Sequence, residues 1–285
     1  MTDETQKIDW PARRKEAAAY IQERCSIEPQ IGLILGSGLG DLADEIVQPS
    51  IIPYSEIPHF PVSTIAGHAG ELVIGELEGK RVIAMKGRFH FYEGYSMQQL
   101  AFPVWVMRTL GVSVLIATNA AGGINRSFSP GDLMIIVDHI NLMWDNPLIG
   151  PNDPELGVRF PSMRTAYPWD LVETAQKAAQ KAGVQVKRGV YVATQGPNYA
   201  TGAEGELFRV LRADAVGMST VPEVMAAAHA GMRTLGISCI TDASRDPKAG
   251  PAAGILTHEE VIRVANETKP RFTRLMKAII QDIQL

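Results

Sequence analysis

Short apolar runs rich in β-branched residues alternate along this chain with helical patterns. The runs at residues 31–35, 72–77, 81–85, 113–118, 133–137, 189–193 and 234–240 predict strands. Helices are predicted over 11–25, 97–110, 169–182, 203–211 and 222–230, and from His258 towards the C-terminus. Glu78-Gly79, between the second and third runs, is a hairpin signal and makes the sheet mixed. Strands that are apolar throughout and separated by helices belong to a sheet covered on both faces. The expected fold is therefore α/β. One domain spans residues 1–285, with a central, mixed, mostly parallel β-sheet flanked by helices, and residues 1–28 supply an N-terminal helix packed on it. Residues 141–168 break the pattern, with five prolines and little periodicity. A loop of that length in a compact domain usually serves function or an interface.

Composition narrows the partners. The chain of 285 residues carries 27 Lys+Arg against 31 Asp+Glu, a net charge of −4. A mildly acidic chain lacks the basic face that grips nucleic acid, so an anionic partner must be small and held locally. With 46% apolar and 20% charged residues, collagen, coiled-coil and disordered classes are excluded. Cys25 and Cys239 lie far apart, which is neither a disulfide framework nor a metal cluster. The segment Met1-Thr-Asp-Glu-Thr-Gln is polar and acidic, unlike a signal peptide. The longest apolar run, at 112–117, is far short of the roughly 20 residues that span a bilayer. The expectation is a cytoplasmic protein that touches neither membrane nor nucleic acid.

The pairs Ser96/Gln99, Thr201/Glu204, Thr220/Glu223 and Thr257/Glu260 all fit a capping box. Helix N-termini offer free N–H groups and the positive end of the helix dipole, which suit anions. Tyr199 precedes the second box, Met218 and Ser219 precede the third, and His258 opens the fourth helix.

Three segments carry candidate chemistry. In Gly36-Ser-Gly-Leu-Gly40, a strand runs into a glycine turn, and Ser37 adds a hydroxyl; this suits a phosphate cradle or a tight structural turn. The glycine spacing is neither that of a dinucleotide fingerprint nor that of a P-loop. In Lys86-Gly-Arg-Phe-His-Phe-Tyr-Glu-Gly94, the alternating Arg88, His90 and Tyr92 project from one face of an extended chain. Arginine suits bidentate phosphate binding, and Glu93 is placed to orient an imidazole. In Ala117-Thr-Asn-Ala-Ala-Gly-Gly123, small residues end a buried strand where backbone N–H groups can meet a ligand.

These segments occur in order with Gly67-His-Ala-Gly70, Gly196-Pro-Asn-Tyr199 and Val216-Gly-Met-Ser-Thr-Val-Pro-Glu223. Together they resemble the trimeric, low-molecular-mass class of purine nucleoside phosphorylases, over about residues 31–258. The resemblance implies reversible phosphorolysis of purine (deoxy)ribonucleosides to free base and (deoxy)ribose 1-phosphate. Phosphate is a co-substrate, and neither metal nor organic cofactor is implied. Carried over position by position, Ser37, Arg88, His90, the backbone at Ala120 and Ser219 hold phosphate, with His68 flanking them. Tyr92, Met218 and His258 surround the ribose, and Val216 and Thr241 line the nucleoside site. Tyr199 stacks on the base, beside Ala200 and Asp242. Arg88, His90 and Asp242 are the catalytic candidates. Phe160, on the proline-rich loop, looks like the residue such enzymes lend to a neighbouring subunit, which implies a homotrimer.

Two base-contacting positions depart from the pattern. Members specific for 6-oxopurines carry Glu where this chain has Ala200, and Asn where it has Asp242. Alanine cannot accept from a purine N1–H, and an ionised carboxylate only accepts. The pair therefore suits the amino donor of a 6-aminopurine, unless Glu204 or a water supplies the missing contact. A buried Asp242, with its pKa raised, could donate to N7. The rival readings are a methylthioadenosine phosphorylase, against which His258 suits a 5′-hydroxyl, and a non-catalytic purine or phosphate binder. Elsewhere, Met97, Met107, Met134 and Met143 are expected in the core, and His229 and His139 in structural roles.

Overall fold

The computed structural model describes residues 8–62, 69–243 and 256–285. Among these residues nine strands form one sheet: β1 Ile31–Leu35, β2 Val47–Pro53, β3 Glu71–Leu77, β4 Lys80–Lys86, β5 Val114–Gly123, β6 Leu133–Asn141, β7 Val186–Ala193, β8 Ala215–Gly217 and β9 Arg233–Ala243. Their order is β2-β3-β4-β1-β5-β8-β7-β6-β9, and β9 pairs back onto β5. Strands β5 to β9 thus close into a ring, and β1, β4, β3 and β2 extend from β5 as an open arm. Among the described residues, five of the nine pairings are parallel. The sheet is mixed and mostly parallel, as expected. Its closure was not foreseen. Register shifts at Ala121/Gly122 and Ile136/Asp138 mark bulges in β5 and β6, the devices that bend a sheet into a ring.

Among the described residues, six α-helices cover the sheet: α1 Trp10–Gln22, α2 Met97–Thr109, α3 Trp169–Lys181, α4 Gly202–Val210, α5 Val221–His229 and α6 His258–Asp282. One core lies against α1, α2 and α5, and another against α3 and α6. β1 is buried at every position, as a strand with helices on both faces must be. α2 starts where the Ser96 hydroxyl accepts from Gln99 N at 3.3 Å, while Gln99 Oε1 accepts from Ser96 N at 2.9 Å. α1 packs Trp10 against Phe102 and Trp105 of α2. The four methionines expected in the core are buried there, as are Cys25 and Cys239, both free thiols.

Two strands escaped the sequence pattern. β2 is an edge strand with Ile52 its one buried residue, so no apolar run announces it. β8 is three residues long. Strands β5, β6 and β9 run further than expected, and the extensions of β5 and β9 carry residues of the site. No described helix is long and apolar enough to cross a membrane. Residues 141–168 lie mostly in irregular structure after β6 ends, with one 3₁₀ turn at Met163–Thr165.

Candidate active site

A cavity of about 480 Å³ opens where the ends of β1, β4, β5, β7, β8 and β9 meet the starts of α4 and α6. Thirteen of the fourteen described candidate residues line it. The turn after β1 contributes Ser37, and the segment after β4 contributes Arg88, His90 and Tyr92. The extension of β5 contributes Ala120. β8 and the turn after it contribute Val216, Met218 and Ser219, and the end of β9 contributes Thr241 and Asp242. Tyr199 and Ala200 stand just ahead of α4, and His258 is the first residue of α6. Phe160 does not line this cavity; it is 88% exposed on the loop, with the Arg159 guanidinium 5.8 Å from its ring. His68 lies outside the described residues.

Arg88 is the centre of one end. It is 1% exposed, yet fully partnered in charge. Its Nε and Nη2 donate to Glu223 Oε1 at 3.0 and 2.7 Å, and its Nη1 donates to the Thr118 carbonyl at 2.6 Å. The Thr118 hydroxyl in turn accepts from Gly36 N at 3.2 Å and donates to the Ile34 carbonyl at 3.0 Å. The glycine turn is thereby tied to β5. A Cβ at Gly36 would meet Asn119 Cα and the Thr118 carbonyl oxygen at 2.9 Å, so this close approach requires glycine.

Glu223 is also where the sequence misled. The Thr220/Glu223 pair was expected as a capping box, but the Thr220 side chain makes no cap and its φ is +72°. A β-branched residue adopts that conformation only when its surroundings hold it there. Thr220 Oγ1 instead receives Asn119 Nδ2 at 2.9 Å and lies 3.1 Å from Ser219 Oγ. The carboxylate that would have capped α5 pairs with a buried guanidinium, a partner no local pattern reveals. The other three pairs do cap their helices, although Thr257 accepts from Glu260 N without the reciprocal contact.

His90 and Tyr92 reach the cavity by a different route from the extended chain expected. The chain is extended at His90, but Phe91–Glu93 form a 3₁₀ turn. That turn lays the Tyr92 ring on the His90 ring, 4.7 Å apart and 12° from parallel. Glu93 Oε1 accepts from His90 N at 2.8 Å and lies 3.1 Å from His90 Nδ1, so it orients the imidazole as expected. Burial, reinforced by the charge of Glu93 and by Tyr199, pushes the Tyr92 phenol up to about 12. Tyr92 is therefore a neutral hydroxyl at physiological pH.

The other end is open. Tyr199 is 40% exposed and Ala200 is exposed. Glu204 does not reach the cavity: its Oε2 accepts from Thr201 N at 2.7 Å, and its own N–H donates to Thr201 Oγ1 at 3.2 Å. Asp242, one residue before the end of β9, is half-buried rather than buried. Partial burial, with the charges of Glu259 and Asp242, raises the Tyr199 phenol.

Several residues here escaped the sequence reading. Asn119 lines the cavity 2% exposed, and its Oδ1 is buried with no partner among the described residues. It stood inside a segment singled out only for its backbone. Leu256 and Val261 add apolar walls beside His258. Away from the cavity, His59 Nε2 lies 2.6 Å from Glu16, and His139 Nδ1 lies 3.1 Å from the Tyr167 hydroxyl. His229 Nε2 lies 3.0 Å from Asn152 Oδ1, while its Nδ1 is buried without a partner among the described residues. Among the described residues no three His, Cys, Asp or Glu are grouped to hold a metal.

Comparison with known proteins places this cavity in a family. The Phosphorylase superfamily model matches residues 30–281. The chain is 58% identical over 269 residues to purine nucleoside phosphorylase 1 of Geobacillus stearothermophilus, covering 94% of this chain and 97% of that one. Its structure is similar to isoform 2 of purine nucleoside phosphorylase from Schistosoma mansoni in complex with cytosine and ribose-1-phosphate. That likeness has a TM-score of 0.90 and 43% identity, over 96% and 97% of the two chains. It is equally similar to Schistosoma mansoni purine nucleoside phosphorylase in complex with adenosine, with a TM-score of 0.91 and 40% identity over 96% and 98%.

Proposed function

The chain belongs to the Phosphorylase superfamily, and we propose that it splits purine (deoxy)ribonucleosides with phosphate, reversibly, into free purine and (deoxy)ribose 1-phosphate. One observation carries this reading: a single cavity joins a buried end lined by the Arg88 guanidinium and hydroxyls to an open aromatic end with a carboxylate. Arg88, the hydroxyls of Ser37 and Ser219, His90 and the backbone at Ala120 hold the phosphate dianion. Ribose lies between Tyr92, Met218 and His258. The base stacks on Tyr199, against Val216, Thr241, Ala200 and Asp242.

The C1′–N9 bond breaks with its electrons passing to the purine, and a bond from a phosphate oxygen to C1′ forms. Between the two, the sugar is cationic, flanked by an anionic phosphate and a base gaining negative charge. Donors set in advance around the phosphate stabilise that charge without reorganising, and they hold the attacking oxygen close. A proton delivered or shared at purine N7 completes the departure of the base. No side-chain nucleophile enters, and phosphate serves as co-substrate with no cofactor or metal.

At the base, the Ala200 side chain offers no polar atom, Glu204 is committed to its helix cap, and Asp242 brings a carboxyl group that only accepts when ionised. These features support turnover of adenosine and other 6-aminopurine nucleosides beside inosine. The enzyme works in the cytoplasm as a homotrimer on one domain, with Phe160 covering a neighbour's cavity. The exposure of Phe160, Trp144, Ile149 and Val158 along one loop supports such an interface.

The test is a substrate panel of adenosine, inosine, guanosine and 5′-methylthioadenosine, followed by ultraviolet absorbance with and without phosphate. Base release that requires phosphate, with adenosine turned over, is expected. Purine binding without turnover overturns phosphorolysis. Guanosine turnover with none of adenosine overturns the 6-amino reading, and a strong preference for the 5′-methylthio substrate reassigns the sugar end.

A further inference from the structure

Glu223 has no contact of its own with the cavity, yet it receives two of the N–H groups of Arg88 on one oxygen. The side chains of both partners are sealed, at 1% and 5% exposure. Glu223 sits in the first turn of α5, four residues after Ser219, and the left-handed Thr220 turns the chain between them. The same helix start therefore braces two walls of the cavity, one from β4 and one from β8. An oxygen shared by Nε and Nη2 sets the plane of the guanidinium, and the Thr118 carbonyl on Nη1 sets its rotation within that plane. Arg88 meets its anion already oriented.

We infer that Glu223 is the positioning residue for Arg88, acting on phosphate binding through the location of its oxygen rather than through its charge. This rests on the phosphate role proposed above for Arg88.

Two conservative variants separate location from charge. Glu223→Gln keeps a carbonyl oxygen at the position of Oε1 and removes the charge. Glu223→Asp keeps the charge and withdraws the oxygen by one methylene. Both keep a hydrogen-bonding oxygen for the guanidinium, which alanine would remove; Gln takes away its counter-charge and so lowers Tm, a cost read separately from phosphate affinity. Steady-state kinetics would give KM separately for phosphate and nucleoside, and calorimetry would give the affinity for phosphate alone. The expected result is that Glu223→Asp raises the phosphate KM and Kd about tenfold or more, with the nucleoside KM within about threefold. Glu223→Gln should stay within about threefold of the parent in all three.

The reverse order, with Gln impaired and Asp normal, overturns the inference in favour of charge balance. For Glu223→Asp, equal changes in both KM values, or loss of thermal stability with unchanged phosphate affinity, also overturn it and leave Glu223 merely structural. Absence of phosphate-dependent turnover in the parent enzyme would instead sink the proposed function, while calorimetry would still report on Glu223.

Discussion

The two ends of the cavity are built in opposite ways. At the phosphate end, Arg88, Glu223, Asn119, Thr220 and Ser219 are all buried, and each hydrogen-bonds to at least one of its neighbours in the network. At the base end, Tyr199 and Ala200 are exposed, Asp242 is half-buried, and the nearby Glu204 turns away. A dry, braced end keeps its donors in place through the reaction, which is where preorganisation acts on rate. An open end contributes less to rate and more to the choice of base, and it tolerates exchange of residues. On the proposed assignment, that difference fits a chain that has the expected pattern at Ser37, Arg88, His90 and Ser219 and departs from it at Ala200 and Asp242.

The largest effect should come from breaking the braced end. Arg88→Met should lower kcat/KM by roughly a hundredfold to a thousandfold, the loss typical of one preorganised donor group. It also leaves Glu223 buried without its cation, which costs about 3–5 kcal/mol and lowers Tm. Pairing Arg88→Met with Glu223→Leu should restore Tm, since buried ion pairs are often replaced by apolar pairs without loss. Activity should stay low. Phosphorolysis and thermal melts on both variants check this; recovery of activity with stability would remove Arg88 from the phosphate site.

At the base end the effect is smaller and changes preference. Asp242→Asn supplies an amide donor beside the acceptor, so it should lower adenosine turnover relative to inosine by about tenfold, the scale of one hydrogen bond to a charged group. The measure is the ratio of kcat/KM for the two nucleosides. An unchanged ratio would mean that Asp242 does not meet the base.

The same contrast explains what was legible in the sequence. Residues that meet the cavity by local pattern were visible: the glycine turn with Ser37, the Arg88–Tyr92 segment, and Tyr199 and His258 at helix starts. Residues that act across the fold were not. Glu223 sits three residues after a threonine and looked like a cap, because its true partner lies 135 residues away. Asn119 was hidden in a run of small residues for the same reason. The covered, mixed sheet followed from the apolar strands, but its closure did not. Closure depends on β8, too short for any periodicity, and on bulges that carry no residue signature. The exposed edge strand β2 lacks the buried face from which strands are recognised.

The finest test adds carbon to each end and asks whether stability responds. At the braced end, a Cβ at Gly36 would lie 2.9 Å from Asn119 Cα and the Thr118 carbonyl oxygen. Gly36→Ala must therefore push the turn that carries Ser37 away from β5. Overpacking of that kind costs about 1–3 kcal/mol, and each kcal/mol lowers Tm by roughly 2–4 °C in a protein of about this size. Ala200 is exposed at the open end, so Ala200→Val should stay within about 0.5 kcal/mol of the parent. Thermal melts at a single phosphate concentration would compare them. Equal shifts in Tm would show that the two ends are packed alike, and the division into a braced end and an open one would fall.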